Sequence, residues 1–299
     1  MSVCVVGAAN LDLISYVPRL PQVGETLHGT RFQMGYGGKG ANQAVMAAKL
    51  GAEVTMVCKL GRDVFGEGTL ENFREHGVDT THVTFTEEAF SGVAPIAVDP
   101  DGRNAIIIVT GANDLLTVED LERARPAIAA SDIVVCQLEI PVELTTSALR
   151  IAHAEGVRTI FNPAPARSEL PEELYRLSDV ICPNEPETEL LTGMPAGEEA
   201  ARELLARGAG AVVLTLGERG CLVVEGGGAA LVPVEPVRAV DTSGAGDAFV
   251  GSLAVFLAAG HPLADAAERA NRIAALSVRG RGTQTSFPGG SELPAGLLA

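Results

Sequence analysis

Short apolar runs alternate with amphipathic segments along most of the chain, and the alternation is most regular after residue 118. Because strands that alternate with helices build parallel sheets, this pattern predicts an α/β fold, a doubly wound and mostly parallel sheet with helices on both faces. The predicted strands are Val3–Val6, Val54–Cys58, Ile133–Leu138, Arg158–Phe161, Val180–Cys182, Ala211–Leu216, Cys221–Glu225 and Ala230–Val234. The predicted helices are Ala41–Leu50, Phe65–His76, Val118–Ala129, Val142–Glu155, Pro171–Leu177, Glu185–Thr192, Glu198–Arg207, Ala245–Ala259 and Leu263–Val278.

Two β-rich segments, about 13–36 and 88–110, interrupt this alternation. In the second, Val93–Val98 and Ala105–Val109 flank the turn Asp99-Pro100-Asp101-Gly102, which indicates a hairpin with no helix between its strands. We expect the two segments to form a small accessory sheet at one edge of a single domain that spans residues 1–299.

The overall charge restricts the class of partner. The formal net charge is −16, which argues against a nucleic-acid surface and against an anionic membrane partner. The same charge opposes an anionic nucleotide, so a nucleotide site needs local compensation by backbone N–H groups, a few basic residues and a metal ion. The five histidines show no ligand spacing, so a structural zinc site is not expected.

The cysteines and the N-terminus bear on the compartment. The five cysteines are scattered through apolar runs without a C-x-x-C pair, which favours buried thiols in a reducing cytosol over a disulfide framework. The N-terminus lacks a basic segment and a long apolar run, so we expect a first strand there and no signal peptide. No apolar run is long enough for a membrane helix. The expected location is therefore cytoplasmic.

Polar side chains follow five of the apolar strands. Each has an ordinary alternative role as a turn residue, a helix cap or a strand end. Together they predict a row along one edge of the sheet, because ligands of open parallel sheets bind beyond the carboxyl ends of the strands. The row contains Asn10 and Asp12, Glu139, Asn162, Asn184 with Glu187, and Thr215 with Gly217.

The stretch from Val240 to Phe249 is the clearest candidate for chemistry. Small residues with two glycines lead into an apolar helix, so unpaired N–H groups and a partial positive charge meet any anion there. Asp247 would repel a resting anion, which fits a general base that deprotonates a hydroxyl as it attacks a phosphoryl group. Its alternative role is a carboxylate that favours the helix dipole.

A glycine motif near the start permits a different function. Gly35-x-Gly37-x-x-Gly40 matches the dinucleotide fingerprint, which would indicate an oxidoreductase. The fingerprint should close the first strand of a βαβ unit, whereas the first apolar strand here is Val3–Val6. The Walker pattern is also absent. Residues 37–42 are better interpreted as a backbone surface for a small polar ligand, or as a tight turn that caps an Ala-rich helix.

Four stretches together resemble the ordered motifs of the ribokinase-like sugar kinases, and the resemblance runs from residue 3 to about 288. They are Gly37–Ala44 (GGKGANQA), 162–166 (NPAPA), 184–187 (NEPE) and 241–247 (DTSGAGD). The last motif marks the family strongly, and the first two narrow the resemblance to pentose kinases. Two departures stand out, because Pro186 replaces a common Thr and no proline precedes Ser286.

The resemblance implies a role for each matching residue. Asp247 would be the general base, with the N–H groups of Gly244, Ala245 and Gly246 as the anion hole. The residues implied for the sugar hydroxyls are Asn10, Asp12, Gly38, Lys39, Asn42 and Glu139. The residues implied for the magnesium and nucleotide side are Asn184, Glu187, Thr215, Gly217, Gly220, Gly246 and Asn271. A monovalent cation, K⁺, is implied between Asp241, Ser243, Ser277, Gly280, Gly282 and Ser286.

We therefore expect an ATP-dependent sugar kinase that makes ribose 5-phosphate and uses Mg²⁺ and K⁺. The resemblance also implies that the accessory sheet is a lid over the sugar and forms a homodimer contact. Three alternatives stay open. The acceptor could be deoxyribose, a nucleoside or a hexose; the protein could be a dinucleotide-dependent oxidoreductase; or it could be a sugar-binding protein without catalysis.

Overall fold

The computed structural model describes residues 1–298, which form thirteen β-strands and nine α-helices. The strands are β1 Ser2–Val6, β2 Asn10–Tyr16, β3 Arg31–Gly37, β4 Glu53–Gly61, β5 Asp79–Thr86, β6 Gly92–Val98, β7 Asn104–Ile106, β8 Ile133–Cys136, β9 Arg158–Phe161, β10 Val180–Ile181, β11 Ala211–Thr215, β12 Cys221–Glu225 and β13 Gly228–Val232. The helices are α1 Lys39–Lys49, α2 Val64–Glu75, α3 Val118–Ala129, α4 Val142–Ala154, α5 Glu172–Arg176, α6 Glu185–Thr192, α7 Glu198–Ala206, α8 Ala245–Ala258 and α9 Leu263–Ser277.

The main sheet has nine strands in the order β13-β12-β11-β10-β9-β8-β1-β4-β5. All neighbours from β11 to β5 are parallel, and the hairpin of β12 and β13 adds two antiparallel strands at one edge. The predicted mostly parallel α/β sheet is therefore confirmed. Its parallel part brings the carboxyl ends of β1, β8, β9, β10 and β11 to one edge, where ligands of such sheets bind.

Helices cover both faces of this sheet because alternate side chains of each strand bury in opposite layers. On β1, Val3 and Val5 belong to the core layer that contains residues of α1, α8 and α9. Cys4 and Val6, the intervening residues, belong to the opposite layer with residues of α3 and α4. The four residues of β8 are completely buried. The site at the edge of the sheet therefore rests on strands that are fixed from both sides.

A second sheet of four strands lies apart from the main one, in the order β3-β2-β6-β7. Its strands β3 and β6 both pair with β2, and the register sets Asn10 opposite Gly37 and Gly92. The predicted accessory sheet from segments 13–36 and 88–110 is thus confirmed. It begins earlier than predicted, at Asn10, since β2 follows β1 after only three residues.

The prediction omitted one strand of the main sheet. β5, Asp79–Thr86, is an edge strand beside β4, and most of its side chains are half-exposed. Its four threonines break the apolar run that marks the buried strands, so only the pairing with β4 identifies it. The predicted helix ends differ from the observed ones by at most two residues.

The structure also bears on the cysteines and on membrane spans. All five cysteines are buried and unpaired, as their apolar surroundings predicted. Within residues 1–298, no helix combines the length and the hydropathy that a bilayer crossing requires.

Candidate active site

Asp247 lies in the first turn of α8, with only 7% of its surface exposed. The helix begins after Gly244, whose backbone is in the left-handed region with φ of 75°. A Cβ at Gly244 would also lie 2.4 Å from Thr283 Cγ2, so glycine is required there for two independent reasons. This turn sets the helix start, and with it Asp247, against the 282–286 loop.

The N–H groups at the start of α8 are only partly free. Ala245 donates its N–H to the carbonyl of Thr242 at 3.2 Å. The N–H groups of Gly244 and Gly246 make no hydrogen bond within residues 1–298, as expected at a helix start. Gly244 and Gly246 therefore offer donors to an anion, while the Ala245 N–H would first have to leave Thr242.

Two cavities meet at Asp247. The larger has a volume of about 520 Å³ and lies between the main sheet and the small sheet. The smaller, of about 180 Å³, extends over the carboxyl ends of β9, β10 and β11. Lys39, Gly244 and Asp247 line both. A group held by Asp247 in the larger cavity can therefore face a group held in the smaller one.

The larger cavity gathers every residue predicted for sugar binding. They are Asn10, Asp12, Gly38, Lys39, Asn42 and Glu139. Glu139 accepts a hydrogen bond from the backbone N–H of Lys39 at 2.7 Å. Gly38 has φ of 87°, and a Cβ there would lie 2.7 Å from the N atom of Asn10. This close approach seats the start of α1 against the start of β2.

The charges of this cavity are strongly coupled. Burial raises the pKa of Asp12 to about 6, and the carboxylates of Glu139 and Asp247 add to the effect. Burial also raises the pKa of Glu139, although the charge and the backbone N–H of Lys39 oppose it. Burial alone would lower the pKa of Lys39, but Asp247, Glu139 and Glu187 more than offset it. The cavity thus combines carboxylate acceptors with the ammonium group of Lys39 as a donor, which suits a ligand rich in hydroxyls.

The smaller cavity contains Asn184, Glu187, Thr215 and Gly246. Asn184 and Glu187 form a capping box at the start of α6, in which Asn184 accepts from the Glu187 N–H and Glu187 accepts from the Asn184 N–H. Burial raises the pKa of Glu187, with the Asn184 N–H and Lys39 opposing. Pro186, the departure from the family motif, fits at the second position of this helix.

The oxygen ligands in the smaller cavity fit a magnesium ion that arrives with a nucleotide. Within residues 1–298, no three side chains of His, Cys, Asp or Glu gather as a metal centre. Mg²⁺ needs no such centre, because it keeps several waters and binds through one or two carboxylates and substrate phosphates. Glu187 in the smaller cavity can supply that carboxylate.

The residues predicted for a monovalent cation lie close together in space, although they are far apart in the sequence. Asp241 accepts hydrogen bonds from the N–H groups of Ser243 and Gly282, both at 2.9 Å. Burial opposes ionisation of Asp241, but these two donors lower its pKa overall. A Cβ at Gly280 would lie 2.9 Å from Ser286 Cβ and 3.8 Å from the Ser277 carbonyl oxygen. The loop therefore offers carbonyl, hydroxyl and carboxylate oxygens, which are the ligands of hard cations.

Three residues predicted to border the nucleotide line neither cavity. Gly217 and Gly220 flank the single turn between β11 and β12. Asn271 is buried and donates to the Val232 carbonyl at 3.0 Å and to Cys221 Sγ at 3.4 Å, so it ties α9 to the β12–β13 hairpin. Their contact with a nucleotide stays a prediction.

The sequence prediction missed several amides around the site. Asn113 donates to Asn10 Oδ1 at 2.8 Å and accepts from the Ala9 N–H, which fixes the orientation of Asn10. The other missed amides are Gln43, Asn72, Gln137 and Gln284. Gln43 donates to Asp247 directly, and the other three lead to Asp247 through Gln43 or Asn42. The sequence did contain a signal for Gln43, since it is a polar residue within the Ala-rich stretch of α1, and the structure buries it completely.

The glycine motif lacks the context of a dinucleotide site. Gly35 and Gly37 lie on β3, which is antiparallel to β2 in the small sheet. The fingerprint belongs at the end of a parallel strand in a βαβ unit. The glycines serve the larger cavity instead, because a Cβ at Gly37 would lie 2.7 Å from both carboxylate oxygens of Asp12.

Comparison with known proteins agrees with this geometry. The family described as "pfkB family carbohydrate kinase" matches residues 1–289. The chain belongs to the pfkB family of carbohydrate kinases. It is 45% identical over 307 aligned residues to the ribokinase of Mus musculus, covering 99% of this chain and 95% of that protein. It is 41% identical to the deoxyribokinase of Salmonella typhi, covering 96% of both.

The solved structure of one relative has the same fold. The structure of Arabidopsis thaliana ribokinase complexed with ribose and ATP is similar, with a TM-score of 0.90 and 32% identity over 99% of this chain and 98% of that one. The resemblance inferred from the four sequence motifs is thereby confirmed. The chain is a sugar kinase of the ribokinase type, and the oxidoreductase alternative is wrong.

Proposed function

We propose that the protein transfers the γ-phosphoryl group of ATP to the 5-hydroxyl of D-ribose. The observation that carries this proposal is the position of Asp247, the buried carboxylate shared by a cavity lined with polar acceptors and a cavity at a helix start. The similar proteins named above include a ribokinase, and one similar structure holds ribose and ATP.

In this proposal the larger cavity binds the sugar. Asn10, Asp12, Asn42 and Glu139 accept from or donate to the hydroxyls, and Lys39 adds a charged donor. A carboxylate can accept from two neighbouring hydroxyls at once, so Asp12 suits a vicinal diol. The 5-hydroxyl then points along the larger cavity toward Asp247.

Phosphoryl transfer would take place at the junction of the two cavities. Asp247 accepts the proton of the 5-hydroxyl while that oxygen bonds to the γ-phosphorus of ATP. The bond from the γ-phosphorus to the bridging oxygen breaks in line, and ADP leaves with the bond electrons. The N–H groups of Gly244 and Gly246 stabilise the charge on the transferring group.

Two ions belong to the proposal. Asn184 and Glu187 would hold Mg²⁺ through water, and the loop residues Asp241, Ser243, Ser277, Gly280, Gly282 and Ser286 would hold K⁺. When bound, the ions offset negative charge on the phosphates and strengthen the anion hole without touching the sugar. Thr215, Gly217, Gly220 and Asn271 would border the nucleotide.

The experiment that tests the proposal is ADP release from MgATP with a panel of acceptors. The panel contains ribose, 2-deoxyribose, fructose, adenosine and pseudouridine, each in sodium and in potassium buffer. We expect the highest kcat/KM with ribose and faster turnover in potassium, because a cation beside the anion hole stabilises the transition state. Equal rates in both buffers would contradict the proposed cation site. No turnover with any acceptor would overturn the kinase proposal.

Deoxyribose is the second candidate acceptor. A deoxyribokinase is almost as similar to this chain as the mouse ribokinase. The position of Asp12 favours ribose, because deoxyribose would leave one acceptor of this half-buried carboxylate without a hydroxyl. A kcat/KM for 2-deoxyribose at or above that for ribose would reverse this choice and leave the mechanism unchanged.

The proposal includes a homodimer that forms through the small sheet. The support is a set of apolar side chains on this sheet and directly after its last strand that are 51–65% exposed, namely Phe32, Met34, Ile106, Ile107 and Ile108. Met34, Ile106 and Ile108 also line the larger cavity, whereas Phe32 and Ile107 do not. Exposed apolar residues of this size clustered on one element are typical of interfaces. The same sheet closes the larger cavity, so a dimer would hold it as a lid.

Sedimentation of the double variant Phe32→Asp/Ile107→Asp tests the dimer. We expect the parent to sediment as a dimer and the variant as a monomer, because two buried carboxylates oppose burial of the sheet. Leu231→Asp is the matched control, since Leu231 is 59% exposed on β13, in the other sheet. A monomeric parent would contradict the proposal.

A further inference from the structure

Buried side-chain amides approach Asp247 from two sides. On the first side, Gln137 Nε2 donates to Gln43 Oε1 at 2.6 Å, and Gln43 Nε2 donates to Asp247 Oδ1 at 3.0 Å. Gln43 Nε2 also donates to Asn162 Oδ1 at 3.2 Å, and Asn162 donates onward to the Cys182 carbonyl. Every hydrogen-bonding atom of Gln43 is therefore used, and its side chain has no exposed surface.

The second side is a series of three amides. Asn72 Nδ2 donates to Gln284 Oε1 at 2.9 Å, and Gln284 Nε2 donates to Asn42 Oδ1 at 3.0 Å. Asn42 Nδ2 then donates to Asp247 Oδ2 at 2.8 Å. Lys49 Nζ donates to the Gln284 carbonyl at 2.8 Å, which holds the backbone of that residue. Both oxygens of Asp247 thus receive a hydrogen bond from an amide whose direction is set by the next amide.

The direction of the first series has a measurable cost. Within residues 1–298, Gln137 Oε1 is the one buried side-chain polar atom without a hydrogen-bond partner. A Cβ at Gly7 would lie 2.1 Å from it, so backbone closes over this oxygen. Leaving a buried acceptor unpaired destabilises the folded protein, because the oxygen loses its bond to water and gains none in return. The cost falls at the end of the series that is farthest from Asp247.

If the amides of the first series pointed the opposite way, the unfavourable contact would lie at Asp247. If Gln137 turned over, its oxygen would face Gln43 Oε1 at the present 2.6 Å, and Gln43 would have to turn as well. Gln43 Oε1 would then face Asp247 Oδ1 and Asn162 Oδ1, where its donors now lie. The unpaired oxygen is therefore the consequence of keeping two donors at Asp247 and Asn162.

The charged groups around Asp247 explain why uncharged donors are needed. Asp12 on β2, Glu139 after β8 and Glu187 on α6 face it as carboxylates, and Lys39 on α1 is the facing cation. Three carboxylates repel the charge of a fourth, whereas N–H donors attract it. Amide donors attract the carboxylate without placing a second cation directly against it.

We propose that Gln43 is a positioning residue for the base, held in its donating direction by Gln137. This inference rests on the proposed function, in which Asp247 is the base. Gln43 fixes the side chain of Asp247 from the side away from the substrate. The remaining lone pairs of Asp247 are then directed into the junction of the two cavities, where the sugar hydroxyl arrives.

The deciding variant is Gln43→Met, which keeps the length of the side chain and removes both donors. We expect kcat with ribose to fall about 10- to 100-fold, with the Kd for ribose within about threefold of the parent. We also expect the acid limb of the kcat–pH profile to move to higher pH, since hydrogen bonds to a carboxylate favour its charged form. The measurements are steady-state kinetics from pH 5 to pH 9 and calorimetric ribose binding.

Gln137→Met keeps the test decisive if Gln43→Met does not fold. It removes the donor that sets the direction of Gln43 and touches neither Asp247 nor a cavity. We expect a three- to tenfold lower kcat and a smaller upward move of the acid limb. Thr159→Val is the matched control, because Thr159 is completely buried and hydrogen-bonded to the Leu177 carbonyl. It should lower Tm and leave the pH profile unchanged.

The two proposals can fail separately. Parent and Asp247→Asn are assayed beside these variants, and an inactive parent overturns the kinase function. An active parent with an inactive Asp247→Asn, together with Gln43→Met and Gln137→Met variants that lose only Tm as Thr159→Val does, overturns the positioning role alone. Loss of kcat with the shifted acid limb supports it.

Discussion

Asp247→Asn is expected to lower kcat about a thousandfold and to leave ribose binding within a few-fold of the parent. An amide cannot accept the proton of the 5-hydroxyl, and a positioned general base contributes roughly 10²–10⁴ in rate. The side chain keeps its size, so the larger cavity keeps its shape. The measurements are ADP release with saturating ribose and MgATP, and calorimetric titration of ribose without nucleotide.

Asp101→Asn is the control for the chemical change itself. Asp101 is an exposed carboxylate in the turn between β6 and β7, with an ion pair to Arg103 at 3.1 Å. This variant should behave as the parent. If Asp247→Asn kept more than a tenth of the parental kcat, Asp247 would not be the base, and the helix-dipole interpretation of this residue would replace it.

Asp12→Asn is expected to have opposite effects on binding and on stability. The Kd for ribose should rise at least about a hundredfold, because hydrogen bonds to a charged group contribute about 1.5–3 kcal/mol each and two hydroxyls are involved. The protein without ligand should become more stable at pH 8. Burial and two neighbouring carboxylates raise the pKa of Asp12 from 3.8 to about 6, which is equivalent to at most roughly 3 kcal/mol.

The pH dependence gives this prediction its sign. A carboxyl group whose pKa is raised on folding holds its proton more tightly in the folded protein, so it favours folding below pH 4 and this contribution is lost as pH rises through 6. The Tm gain of Asp12→Asn over the parent should therefore grow from pH 5 to pH 8, and ribose binding by the parent should weaken below pH 6. A constant Tm difference, or tight ribose binding by the variant, would contradict this account.

The stability effect follows from the grouping of Asp12, Glu139 and Asp247 in one cavity. In the absence of substrate these carboxylates repel one another, and the charge of Lys39 offsets part of that repulsion. The hydroxyls of a bound sugar donate hydrogen bonds to these carboxylates. Bound ribose should therefore stabilise the protein more than its contact area alone would suggest. The arrangement that binds the ligand therefore lowers the stability of the protein without ligand.

Local patterns were sufficient for most of the fold. Helices α3 and α6 begin and end where the sequence predicted, because a capping box closes the start of each one. Strands β9 and β12 were also predicted to the residue, since their apolar runs are bounded by polar and glycine residues. Strand β5 was missed because a threonine-rich edge strand is recognised only by its partner β4.

The site was predicted in its parts and not in its connections. The motifs placed Asp247, Lys39 and Asp12 on separate elements, and the order of strands brought them to the same cavity. The N–H of Ala245 shows the limit of the local argument. A helix start offers its first N–H groups to an anion, but the turn at Thr242 engages that one.

The sequence by itself determined the parallel α/β fold, the kinase family and the residues that carry charge at the site, because each depends on short-range patterns of apolar, glycine and acidic residues. Only the tertiary structure decided how Asp247 is held. Gln43, Gln137 and Gln284 come from a helix, a strand end and a C-terminal loop, and the direction of each amide depends on its neighbour across the fold. Hydrogen-bond direction is a property of the assembled network, so no local pattern of residues contains it.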